Sequence, residues 1–226
     1  MARPEPPETG VTDPLPAKPS PARLLLVRHG ESTWNQERRL QGQLDPPLSD
    51  HGRRQAALLA ERLSGRRVTA LYASDLQRAI DTAAPISEAT GLVAAPMVEL
   101  REIYLGEWEG LHTDDLAMRY PETWARWTEE PNWDLIPGGE GAALFEARVA
   151  KVMDAILERH QHGETVVVTH GGVIQIALHR VVGRPSRGLF PFRISNASVS
   201  VIEKRNGRLI ISTVNDTSHL EALRTQ

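Results

Sequence analysis

Three short apolar runs, at residues 24–27, 68–73 and 165–169, are separated by stretches whose apolar residues recur with helical spacing. This alternation limits the chain's folds more than any other feature. Leu24-Leu25-Leu26-Val27 and Thr165-Val166-Val167-Val168-Thr169 lack the every-second-residue polarity of a strand with one wet face. They read as strands buried on both faces of a parallel sheet. Ala56, Leu59, Ala60 and Leu63 share one helix face behind the N-cap candidate Ser49-Asp50, with Gly65 as the stop. Leu76, Ala79, Ile80 and Ala83 do the same behind Ser74-Asp75, and Pro85 should kink or end that helix. The clearest helix carries Phe145, Val149, Val152, Met153, Ile156 and Leu157, with Gly163 expected past its end. Residues 173–182 are apolar all round, as in a buried helix, and Asn206-Gly207 between residues 199–204 and 208–214 is a strong hairpin signal. The expected class is α/β: a three-layer sandwich with a mostly parallel sheet, a C-terminal antiparallel hairpin and a helical cap insertion.

The ends of the pattern set the expected domain limits. Residues 1–21 hold seven of the 16 prolines and few large apolar side chains, so they read as a disordered tail. Residues 22–226 then form one domain, with an insertion at 105–141 that carries Trp108, Trp124, Trp127 and Trp133 and shows no strand alternation. Lys plus Arg is 26 against 29 Asp plus Glu, without a basic block, so a nucleic-acid partner is not expected. No run nears the ~20 apolar residues of a membrane span and residues 1–20 lack a secretory core, which makes a cytoplasmic location the expectation and a membrane partner unlooked for. Cysteine is absent, so thiolate zinc sites and cysteine nucleophiles are excluded.

In an open α/β sheet ligands bind beyond the carboxyl ends of the strands. Three strands end there in Arg28-His29-Gly30, in Ser74-Asp75 with Arg78 one turn on, and in His170-Gly171-Gly172. Two histidines and two arginines therefore face one crevice. Fixed guanidinium forks match phosphate or carboxylate oxygens, and a helix starting at Gly172 would add N–H groups and a positive dipole end. Positive neighbours favour a neutral imidazole, and a neutral imidazole can attack phosphorus. A lone histidine at a strand end is more often a hydrogen-bonding loop residue and a lone arginine a surface ion pair; two of each at three strand ends are harder to treat so.

Arg28-His29-Gly30-Glu31-Ser32 with Trp34-Asn35, Ser74-Asp75-Leu76-Gln77-Arg78-Ala79, Leu100-Arg101-Glu102-Ile103 before Gly106-Glu107-Trp108-Glu109-Gly110, and Thr169-His170-Gly171 occur in that order. The ordered set resembles the histidine phosphatase superfamily, the phosphoglycerate mutase-like group, and is most like its broad-specificity and α-ribazole phosphatases. The resemblance implies that His29 is a nucleophile forming phosphohistidine, while Arg28, Arg78 and His170 hold the phosphoryl oxygens. It implies Glu102 as proton donor to the leaving alcohol and then as base toward water. Asn35, Gln41, Gly42 and Gly171 match positions that line the substrate pocket in relatives. Arg101, Glu107 and Glu109 are left as structural.

Other chemistries find no support. There is no His-Glu-x-x-His, no phosphate-binding GxxxxGK[ST] loop and no GxGxxG turn, so neither a metal nor a nucleotide cofactor is expected. His160 and His162 are expected to complement a helix C-terminus, and His51, His112, His179 and His219 receive no catalytic task. The fold of the resemblance hosts hydrolases and mutases alike. Residues 105–140 hold two arginines against nine carboxylates, a net of −7, whereas bisphosphoglycerate-dependent mutases carry extra cations there. Gly172 stands where those mutases have asparagine. Both departures favour hydrolysis of a small phosphomonoester, one with its phosphate on a neutral or apolar body, over mutase action or an idle phospholigand-binding module. The tryptophans are read first as packing, and Gly141 as a weak helix cap. The edge hairpin could pair between two copies as a homodimer.

Overall fold

A computed structural model describes residues 20–184, 188 and 192–223. The proline-rich tail, up to residue 19, lies outside the described residues. In chain order the elements are β1 (Ala22–Arg28), α1 (Thr33–Gln36), α2 (Asp50–Ser64), β2 (Val68–Ser74), α3 (Gln77–Thr90), β3 (Ala95–Met97), α4 (Thr113–Arg119), α5 (Pro121–Glu129), α6 (Ala142–Arg159), β4 (Gly163–Thr169), α7 (Gly171–Val182), β5 (Val199–Arg205) and β6 (Arg208–Asp216). The six strands form one sheet in the order β3-β2-β4-β1-β5-β6. β1, β2, β3 and β4 run parallel, while β5 and β6 are antiparallel to their neighbours.

Burial on both faces explains the continuous apolar runs. Leu25, Val27, Leu71, Ala73, Val166 and Val168 point into one core with Leu59 and Leu63 of α2 and Ala79, Ala83 and Ile86 of α3. Their neighbours Leu24, Leu26, Tyr72 and Val167 point into the other, with Phe145 and Val149 of α6 and Ile174 and Leu178 of α7. Each buried large aliphatic side chain contributes roughly 1.5–3 kcal/mol, so the two cores bind both helix layers firmly to the sheet. The hairpin closes on Asn206 and Gly207, both at positive φ (50° and 75°), as a two-residue turn matching the strand twist requires.

Several local expectations are corrected. Pro85 sits inside α3 without ending it, because the helix face carrying Ala79, Ala83 and Ile86 is fully buried. Gly163 does not cap α6, which ends at His160; it opens β4 at φ 80°. α7 begins at Gly171 rather than Gly172, with His170 as its N-cap residue. Gly141 does precede α6 without a side-chain cap, at φ 76°, and the missing acceptor comes from elsewhere: the Ala142 N–H donates to Asp134 Oδ1 at 2.7 Å. β3 and α1 were not foreseen. β3 is three residues long with Pro96 in its middle, tolerable because it is an edge strand. α1 is a single turn held by the reciprocal capping of Ser32 and Asn35.

Candidate active site

The pairing of β1 with β4 sets Arg28 opposite Thr169, so the residues that follow, His29 and His170, leave the sheet side by side. The His29 N–H donates to the Thr169 carbonyl at 2.9 Å, and the two imidazoles lie 5.1 Å apart between centroids. Both histidines are buried. Desolvation holds both rings well below the ordinary histidine pKa of 6.5, with the positive charges of Arg78 and Arg28 adding to it. Burial is thus the larger cause, ahead of the neighbouring charge on which the sequence argument relied.

His29 Nδ1 lies 2.7 Å from the Gly30 carbonyl oxygen. A carbonyl can only accept, so Nδ1 carries the proton and the neutral ring keeps its lone pair on Nε2. His170 Nε2 lies 2.8 Å from Ser74 Oγ, and its Nδ1 is buried without a partner among the described residues. Ser74 therefore does not cap α3 as expected. That helix has Leu76 at its N-cap position and no side-chain cap, because the hydroxyl is turned toward the histidine.

Arg78, the second residue of α3, is only 1% exposed. Its guanidinium donates to the Leu44 and Gly42 carbonyls at 2.6 and 2.7 Å, and Asp45 lies 3.7 Å away. Burial lowers its pKa to about 10, which leaves it charged at neutral pH. Gly42 can present that carbonyl because it adopts φ 51°, and a Cβ there would run into the Glu109 carboxylate. Arg28 donates to the Ile194 carbonyl at 2.6 Å, while its Nε is buried and has no partner among the described residues. Two desolvated cations with donors in reserve suit a compact dianion.

Glu102 faces this group from the other side. Its Oε1 accepts from the Ile103 N–H at 3.0 Å and its Oε2 from the Gly172 N–H at 3.1 Å. Its main chain is held too. Arg148 of α6 donates to the carbonyls of Glu99, Arg101 and Glu102 and pairs with Glu140, and Gln43 Nε2 donates to the Glu102 carbonyl at 3.2 Å. Glu109 accepts from the Gln43 and Leu105 N–H groups, Glu107 from the Tyr120 hydroxyl, and Arg101 pairs with Asp75, so these three serve structure.

Arg28, His29, Asn35, Gln41, Gly42, Arg78, Glu102 and Gly171 line one cavity of about 650 Å³; His170 is not part of that lining but lies next to His29. Gln41 Oε1 is buried there without a partner among the described residues, and Asn35 is also committed to its capping box and to Asn196. The cavity's outer wall is Trp108, Trp124, Trp127 and Trp133 with Leu105 and Ile136. Trp108 packs edge-on against Trp124 and Trp127, and Trp133 against Phe145. The tryptophans are thus both core and cavity wall.

Four positions escaped the sequence reading: Ser74, Gln43, Arg148 and Asn196. Asn196 Nδ2 lies 3.2 and 3.3 Å from the His29 and Gly30 carbonyls and so supports the nucleophile's loop. Ser74 stands in a strand-end motif but reads there only as a helix cap, and it acts by meeting the His170 ring; the other three stand in no chemically suggestive pattern, and each acts by reaching a distant backbone group. His160 and His162 need correction as well. His160 Nε2 meets the Tyr72 hydroxyl at 2.8 Å and burial lowers its pKa, so it is no dipole cation; His162 Nδ1 lies 3.3 Å from the Ser20 carbonyl.

Residues 24–217 match the family described as the histidine phosphatase superfamily (branch 1). The chain is 37% identical over 198 residues to phosphoserine phosphatase 1 of Hydrogenobacter thermophilus, covering 88% of this chain and 94% of that protein. It is 38% identical over 204 residues to phosphoglycerate mutase-like protein 4 of Arabidopsis thaliana, covering 88% and 87%. Among solved structures, Bacillus stearothermophilus YhfR superimposes with a TM-score of 0.80 at 33% identity, covering 88% of this chain and all of that one (100%). With that match running from the first core strand to the end of the last, the chain belongs to the histidine phosphatase superfamily, branch 1.

Proposed function

We propose that the protein is a metal-independent phosphomonoester hydrolase that works through a phosphohistidine on His29. The observation that carries this reading is the His29 imidazole: neutral, proton-bearing on Nδ1, and presenting its Nε2 lone pair beside the buried Arg78 and the half-buried Arg28. Nε2 attacks phosphorus as the bond to the leaving oxygen breaks, and Glu102 gives that oxygen a proton. In the second half Glu102 takes a proton from water, the water oxygen bonds to phosphorus, and the P–N bond breaks to release phosphate and neutral His29. Arg28, Arg78 and His170 stabilise charge on the transferring group, each donor contributing roughly 3–4 kcal/mol by analogy with an oxyanion hole. Residues 105–141 act as a cap over the leaving-group side.

The cap also argues for the substrate's body. Relatives named for phosphoserine act on a zwitterion, whose ammonium group needs an anionic partner. Among the described residues that line this cavity Glu102 is the one carboxylate, and the tryptophan wall is apolar. Arg39 and Arg193 also line the cavity, so its charges argue against a cationic body, and we assign a leaving alcohol without an ammonium group, neutral or apolar where it meets the tryptophan wall. A cavity of about 650 Å³ accepts a body much larger than a three-carbon one.

The test is a phosphomonoester panel in chelator, with phosphoserine, alkyl and aryl phosphates, run with and without 2,3-bisphosphoglycerate. Turnover of alkyl and aryl esters in chelator, with acid-labile phosphate trapped on wild-type protein and neither signal in His29→Ala, is expected. Full activity in His29→Ala overturns the mechanism. Conversion of 3- to 2-phosphoglycerate that rises with the bisphosphate assigns a mutase instead, and absence of all turnover leaves a phospholigand-binding module.

A further inference from the structure

Ser74 ends β2 with a fully buried hydroxyl. Its oxygen has two contacts: the Leu76 N–H at 3.4 Å and His170 Nε2 at 2.8 Å. The direction of the second follows from counting donors and acceptors. A serine hydroxyl donates once and accepts twice, and a neutral imidazole has one donor and one acceptor nitrogen.

Were His170 to donate from Nε2, the Ser74 hydroxyl proton would be left buried without an acceptor among the described residues. His170 Nδ1 would then present a lone pair, also unpartnered among the described residues, beside His29 and within the field of Arg78 and Arg28. With the hydroxyl donating to Nε2, every group around Ser74 is satisfied. One polar atom is then left over, an Nδ1–H, and it has no partner among the described residues. Buried donors are seldom left so, and the exceptions ask for a reason. Here the reason is the phosphoryl group that would fill the space beside His29, Arg28 and Arg78.

We infer that Ser74 is a positioning residue that sets the His170 tautomer, so that a neutral His170 donates Nδ1–H to a phosphoryl oxygen. This rests on the phosphatase reading of the site. The two histidines then carry their protons on the same ring nitrogen for opposite ends. His29 spends its Nδ1–H on the Gly30 carbonyl and keeps a nucleophilic lone pair, while His170 spends its lone pair on Ser74 and keeps a donor.

Long-range 1H–15N spectra of the wild-type protein, assigned by comparison with His170→Gln, read the tautomer directly. Vanadate inhibition and kcat/KM of Ser74→Ala read its consequence. Expected are a protonated Nδ1 and unprotonated Nε2 on His170 in the wild type. In Ser74→Ala a mixture of tautomers should appear, with vanadate affinity and kcat/KM both lower by about 10- to 100-fold. A wild-type His170 protonated on Nε2 overturns the inference even if the variant does not fold, as does a Ser74→Ala protein with unchanged spectrum and vanadate affinity. Neither outcome touches the phosphatase reading, which falls only if His29→Ala keeps its turnover.

Discussion

Replacing Gly172 with alanine should separate leaving-group protonation from the rest of the chemistry. A Cβ at Gly172 would overlap Glu102 Oε1 and stand 3.2 Å from both Glu102 Cδ and Phe145 Cε1. Phe145 is fully buried and cannot retreat, whereas the carboxylate is the free end of a flexible side chain, so Glu102 gives way. It then loses its hold between the Ile103 and Gly172 N–H groups. Stability should change little, because alanine gains up to about 1 kcal/mol over glycine in a helix and offsets part of the loss. Catalysis should not be spared. General acid–base catalysis is worth about 10²–10⁴-fold, so kcat/KM for an alkyl phosphate should fall by about 10²–10³-fold, or ~3–4 kcal/mol. A p-nitrophenyl ester leaves as a stable anion that needs no proton, and its kcat/KM, which reports the phosphorylation half-reaction, should fall by less than ~10-fold. The assay is kcat/KM for the two esters side by side, with a thermal melt as control. Equal losses for both esters, or none for either, would refute the role given to Glu102.

Two further outcomes are expected. His29 and His170 titrate well below 6.5 when folded, and His219 at about 4, so the unfolded chain binds more protons between those values and 6.5. Stability from these groups is complete above pH 6.5 and is lost as pH falls through that window. The Tm should drop from pH 7 to 5, less steeply in His170→Gln, and a flat profile would contradict the burial of neutral rings. Asp134→Ala should remove the acceptor for the first N–H of α6; the expected cost is ~1 kcal/mol, or ~2–4 °C in Tm for a chain of this size, and an unchanged melt would mean that the cap is not felt.

The continuous runs at residues 24–27 and 165–169 could be read as two-faced strands because nothing polar interrupts them, and the positions just past their ends were readable for the same reason. Asn206-Gly207 was legible because few dipeptides take two positive φ angles cheaply. β3 left no trace: three residues around a proline carry no periodicity, and only pairing with β2 makes them a strand. His160 at the end of α6 looked like a partner for the helix dipole, and the Tyr72 hydroxyl, 88 positions away in the chain, claimed its ring instead.

What the amino-acid sequence determined by itself was the repertoire: an α/β chain with two histidines and two arginines at or just past the places where strands stop, and a glutamate singled out by the family resemblance alone. Periodicity and strand length are local properties, and they place residues at the carboxyl edge of a sheet without a partner in view. Tertiary structure alone decided how each group is used. That Ser74 serves His170 rather than its own helix, that Glu102 leans on a glycine 70 residues later, and that burial outweighs charge in keeping both imidazoles neutral all depend on which surfaces meet. Proton placement follows from the nearest available donor or acceptor and from the exclusion of water, and both come from parts of the chain that meet only when the sheet closes.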